Sequence, residues 1–136
     1  MKTVKSLILS LFVMVSVFAG NVETFASSKV EGEKTKVYYF HSTRRCATCM
    51  AIEKETKNVL KEQPYSEAKE NGELVFKSYN IENAVNKKLV EELGVSGSSL
   101  FVIKGEEKID LTSKAFMYAL KQPEKLKQAL RKALDD

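Results

Sequence analysis

The sequence predicts a small α/β domain in which a central mixed β-sheet is flanked by helices on both faces. Three features lead there. Short runs rich in β-branched and aromatic residues alternate with amphipathic stretches in the order strand, helix, strand, helix, hairpin, helix. The first of these runs, residues 36–41, has no polar alternation, which is the composition of a strand covered on both faces. The chain of 136 residues is 43% hydrophobic and 29% charged, enough for one core and too little for two.

Residues 1–26 stand apart from this pattern and are read as a signal peptide with its cleavage region. Met1, Lys2 and Lys5 make a basic start, and the run from Leu7 to Ala19 is apolar except at Ser10 and Ser16. It falls short of the roughly 20 residues that a helix needs to cross a bilayer, so cleavage rather than a permanent membrane anchor is expected. Small residues place the cut after Ala19 or after Ala26, and no cysteine lies there to carry a lipid. Export to a periplasmic or extracellular space follows. Residues 27–34 read as a flexible lead-in, and the folded domain is expected over residues 35–136.

Within that domain, residues 36–41 form the first strand and Ser42 to Arg45 a loop. From Ala47, the residues Cys49, Ile52, Thr56, Val59 and Leu60 recur at helical spacing, with Glu53 and Lys57 paired outside them, and the helix should stop before Pro64. A short helix over residues 65–69 and a turn at Asn71-Gly72 lead to a second strand over residues 74–79. Val85, Leu89 and Leu93 make the apolar stripe of the next helix, which Gly94 is placed to end. Residues 100–103 are a third strand, residues 104–107 a hairpin turn and residues 108–111 its antiparallel return. Pro123 opens a last helix, with Leu126, Ala129, Leu130, Ala133 and Leu134 on one face. The first two strands should pair in parallel and the hairpin add an antiparallel edge.

The formal charge of +4 falls to +2 with cleavage after Ala19, or to +3 after Ala26. Lys and Glu are mixed along the chain, and no basic block is interleaved with aromatics, so no nucleic-acid partner is expected. A monomer is expected, and neither an internal repeat nor a low-complexity segment is present.

The chemistry lies in Cys46-Ala47-Thr48-Cys49, which contains both cysteines of the chain. A CxxC pair opening a helix after a buried strand puts its first sulfur near unsatisfied N–H groups and the positive end of the helix dipole, which favour thiolate. Cys46 is then the attacking thiol and Cys49, one turn on, the resolving one. Two other uses of the spacing stand beside exchange. An inert staple closing so small a loop contributes about 2 kcal/mol, against about 4.7 for a 100-residue loop. A copper or zinc site would draw on Cys46, Cys49 and His41, the one histidine, but lacks the ligands for a closed four-coordinate shell. Arg44 and Arg45 either lower the Cys46 pKa or are solvated loop charges, and Met50 reads as core packing rather than a copper ligand.

The ordered part of the chain resembles the thioredoxin superfamily. The resemblance rests on the strand-loop-CxxC-helix segment, on Gly94-Val95-Ser96-Gly97 before the third strand, and on residues 101–106 leading into the hairpin. It implies a thioredoxin-like fold and thiol–disulfide oxidoreductase activity on protein thiols and disulfides. It also implies no cofactor beyond the redox-active Cys46–Cys49 disulfide. An exported reductase has no cytosolic electron supply, so a membrane electron-transfer partner is expected. The site departs from the family pattern in several places. There is no Trp, Ala47-Thr48 replaces the usual Gly-Pro, and Tyr38 stands where members often carry a buried acid. Ser98 or Ser99 takes the place of the cis-proline that faces the cysteines. A serine there should keep a trans peptide bond and bring a hydroxyl near Cys46.

Overall fold

The computed structural model describes residues 33–136; the leader and most of the lead-in lie outside the described residues. Strand β1 (Thr35–His41) is followed by helix α1 (Ala47–Val59), a short helix α2 (Tyr65–Glu70) and strand β2 (Leu74–Asn80). A 3-10 turn (Ala84–Asn86) runs into helix α3 (Lys87–Glu92), and the hairpin β3 (Ser99–Lys104) and β4 (Glu107–Asp110) comes next. Helices α4 (Thr112–Tyr118) and α5 (Pro123–Asp135) close the chain. The sheet order is β2-β1-β3-β4, with β1 parallel to β2 and antiparallel to β3, and β4 antiparallel to β3. This is the expected mixed sheet with an antiparallel hairpin edge.

Burial on both faces of β1 explains its unbroken apolar composition, since successive side chains point to opposite sides. Val37 and Tyr39 enter the larger core, with Leu100 and Val102 of β3, under Ile52 and Val59 of α1, Ala115 of α4, and Leu126 and Leu130 of α5. Phe40, Phe101 and Ile103 form the core of the other face, where Tyr38, Tyr79, Leu89, Val90 and Leu93 pack on them. Phe40 and Tyr79 stack there with centroids 5.4 Å apart. Helices thus cover both faces: α1, α2, α4 and α5 on one, α3 on the other.

Two departures from the sequence reading have clear causes. Val85 does not join the α3 stripe: it is 81% exposed in the 3-10 turn, and Val90 packs inward beside Leu89 and Leu93 instead. Helix α4 was not anticipated. Leu111, Ala115 and Ala119 recur every fourth residue and are buried, but the exposed Phe116, Met117 and Leu120 beside them blur the amphipathic pattern. Its first turn is held by Asp110, whose carboxylate accepts the Thr112 N–H at 2.8 Å. Gly94 ends the α3 segment as expected, with φ +65°, which lets the Val95 N–H reach back to the Val90 carbonyl at 2.9 Å. Among the described residues no helix is long and apolar enough to cross a membrane.

Candidate functional site: the cysteine pair at the start of helix α1

Cys46 is the N-cap of α1, with extended backbone (φ −77°, ψ 167°), and its sulfur accepts the N–H of Cys49 at 3.2 Å. A sulfur here does what the oxygen of Ser or Asp does at most helix starts, satisfying one of the orphaned amides. The first turn of α1 holds no acidic residue to compete for its positive end. Cys46 is exposed and Cys49 buried, and their Sγ atoms lie 2.8 Å apart, less than about 1 Å beyond an S–S bond. Hydrogen bonds from the Cys49 side chain and then from its backbone hold the Cys46 thiol below the ordinary range.

Of the two parts open to the arginines, Arg44 fits that of a solvated loop charge and Arg45 fits neither. Arg44 is exposed, and neither arginine is among the causes that lower the Cys46 thiol. Arg45 turns away, into a hydrogen bond and ion pair with Glu53, and its guanidinium carbon stands 5.7 Å from the centroid of the Tyr39 ring. Glu53 also takes Lys57 at 2.6 Å. Burial works to raise the Glu53 carboxyl, but the hydrogen bonds from Lys57 and Arg45 outweigh it and hold its pKa below the usual carboxylate range.

The residue beneath the cysteines is Tyr39, not Tyr38. A one-residue step along a strand reverses the face, so Tyr38 lies against Tyr79 on the far side of the sheet. Tyr39 is fully buried, and its hydroxyl donates to the Cys49 carbonyl at 2.9 Å. Burial first, and the neighbouring Cys49 second, push its pKa far above the usual tyrosine range, so it remains a neutral donor. The sequence reading missed Tyr39, and also Glu53 as the partner of Arg45. Strict alternation counted from Val37 would have found the first; the second pairing spans loop and helix and has no local signal.

Of the two serines, Ser98 faces the site, and it faces Cys49 rather than Cys46: its Oγ is 3.9 Å from the Cys49 Sγ. The hydroxyl of Ser99 donates to the Gly97 carbonyl at 3.1 Å, and the residue pairs with Phe40 in the sheet. Both keep trans peptide bonds; the cis bond among the described residues is Gln63–Pro64. His41, half-buried at the end of β1, donates from Nδ1 to the Ser42 carbonyl at 2.9 Å. Among the described residues no three His, Cys, Asp or Glu side chains come together to hold a metal, so His41 does not join the cysteines in a ligand set. Met50, expected in the core, is 55% exposed beside the pair.

No known family model matches the sequence, and no curated protein sequence matches it. Among solved structures, the chain is similar to one described as a malarial protein, at 15% identity and a TM-score of 0.42, over 65% of this chain and 96% of that one. It is also similar to a thioredoxin from Thermus thermophilus, at 17% identity and a TM-score of 0.33, over 74% of this chain and 76% of that one.

Proposed function

We propose that this chain is an exported thiol–disulfide oxidoreductase that exchanges electrons with protein thiols and disulfides through Cys46 and Cys49. One observation carries the reading: an exposed sulfur capping a helix N-terminus, with a second, buried sulfur 2.8 Å away. Cys46 is the nucleophile because hydrogen bonds favour its thiolate and solvent reaches it. In reduction, the Cys46 thiolate attacks one sulfur of a substrate disulfide, the substrate S–S bond breaks, and the departing thiolate takes a proton from solvent. Cys49 then loses its proton, attacks the Cys46 sulfur of the mixed disulfide and expels the second substrate thiolate. Two electrons have passed to the substrate, and Cys46–Cys49 is left as a disulfide. Oxidation of a substrate dithiol is the same sequence reversed.

Re-reduction requires a two-electron donor, and outside the cytoplasm the reading calls for a membrane protein that presents a dithiol. No further cofactor is required. The serine opposite Cys49 leaves that sulfur a hydrogen-bond partner where the resembling family places a proline.

Trapping tests the assignment. Cys49→Ser should accumulate mixed disulfides through Cys46, seen as adducts that a reductant releases, whereas Cys46→Ser should accumulate none. Equal trapping by both variants would overturn the division of roles. Failure of the native reduced protein to reduce any disulfide would overturn the function. Tight zinc binding by the reduced protein, abolished by His41→Ala, would move the assignment to a metal-handling module.

A further inference from the structure

We propose that the groove along α1, lined at its near end by Arg45 and Met50 on either side of the cysteines in sequence, docks an acidic segment of the substrate protein, about three to five residues from the cysteine that Cys46 attacks. The proposal deepens the oxidoreductase reading and rests on it. Arg45, Met50, Glu53, Lys54, Lys57 and Lys61 line this groove. Cys46, Met50, Lys54 and Lys57 follow one another at steps of three or four residues, so they share one stripe of the helix, with the nucleophile at its head. A partner chain lying on the stripe meets an exposed methionine first and cations next.

Charge complementarity identifies the occupant. Four cations line the groove and one carboxylate, Glu53, which is shared between Arg45 and Lys57. The other two carboxylates in this stretch of chain are used elsewhere: Glu55 meets Lys127 at 3.5 Å and Glu62 meets Arg131 at 2.8 Å, both on α5. Lys54 and Lys61 are exposed, and among the described residues no anion pairs with either. Glu55 and Glu62 are thus turned toward α5, Glu53 stays in the groove between Arg45 and Lys57, and Lys54 and Lys61 are left facing outward without an acid partner among the described residues. Lys54 and Lys57 lie about 12 and about 16 Å along the helix axis from Cys46 at 1.5 Å per residue. An extended chain at about 3.3 Å per residue spans those distances in the stated three to five positions. An apolar residue between the substrate cysteine and its acids would rest on Met50.

The reduced protein, with both cysteines intact, is mixed with peptides that carry one intramolecular disulfide and, at that spacing, a run of Glu, of Ser or of Lys. Hydroxyethyl disulfide, which is uncharged, serves as a reference. At low salt the Glu peptide should be reduced roughly tenfold faster than the Lys peptide, and the difference should shrink as salt rises past physiological strength. Lys54→Glu combined with Lys61→Glu should reverse the order. An equal change of charge on α3, Lys87→Glu with Lys88→Glu, should keep it. Equal rates for the three peptides, with hydroxyethyl disulfide reduced normally, would overturn the docking proposal alone. Equal peptide rates together with sedimentation on phosphatidylglycerol vesicles would overturn it in favour of a lipid-facing surface. No reduction of any of the four substrates would overturn the oxidoreductase reading and the docking proposal with it.

Discussion

A thiol that caps a helix differs from one on an open loop because its charged form completes a hydrogen-bonding arrangement that the fold already needs. The Cys46 sulfur accepts the Cys49 amide, and the depression of its pKa is a linkage statement as well as a reactivity statement. A group whose folded pKa lies below its unfolded value adds stability above the unfolded value, near pH 8.5 for a free thiol, and loses that stability as pH falls through the folded value. Reduced protein should therefore gain stability, relative to Cys46→Ser, as pH rises through that window. Alkylation by iodoacetamide should titrate with a midpoint below about 8.5. A midpoint at or above that value would remove the activated-thiol argument. Tyr39 makes the second residue-scale prediction. Tyr39→Phe keeps the ring and deletes the donor to the Cys49 carbonyl, which should cost about 1 kcal/mol in urea unfolding. It should also slow release of the mixed disulfide more than its formation, because the lost contact holds the resolving cysteine. Equal slowing of both steps would argue against that role.

Among the elements, α5 is the buttress that keeps α1 seated on the sheet. Leu126 and Leu130 are fully buried between them, while Glu62 receives Arg131 through both guanidinium contacts, each at 2.8 Å. These contributions differ in size. Leu130→Ala should destabilise by about 2–5 kcal/mol through lost burial and the cavity left behind. Arg131→Ala should cost no more than about 1 kcal/mol, because the ion pair is roughly one-third exposed and screened by solvent. Urea melts at neutral pH separate the two. The Arg131 guanidinium holds Glu62 below the ordinary carboxylate range, so the pair stabilises above about pH 4.3 and its contribution fades as pH falls through the lowered value. The difference between wild type and Arg131→Ala should shrink on acidification, and a difference that stays constant would show that the pair is not its source. Helix α4 illustrates why some elements escape a reading of the residues: its buried stripe of Leu111, Ala115 and Ala119 is small, and larger side chains sit outside it.

On the scale of the whole molecule, the sheet order β2-β1-β3-β4 makes β1 central, and this places the loop after its last residue, with the cysteines, at one end of the sheet. The proposed export bears on the chain's full length. If the leader is removed, intact-mass analysis of the exported protein should find Gly20 or Ser27 at the amino terminus, and retention of Met1 to Ala19 on membrane-bound protein would contradict it. Much of the architecture was legible beforehand because period and punctuation are local properties: β-branched and aromatic runs at residues 36–41 and 100–103, a helical stripe after Cys46, and Gly94 at a position needing positive φ. The CxxC pair and its position at a helix start were legible for the same reason. Four features of the site were not. They are the choice of Tyr39 over Tyr38, the commitment of Arg45 to Glu53, the approach of Ser98 to Cys49, and the turning of Glu55 and Glu62 toward α5. Each depends on which face of an element meets its neighbour, and that is settled when apolar surfaces bury against one another across segments far apart in the chain. Residue identity decides what chemistry the chain carries; packing decides which side chains surround it.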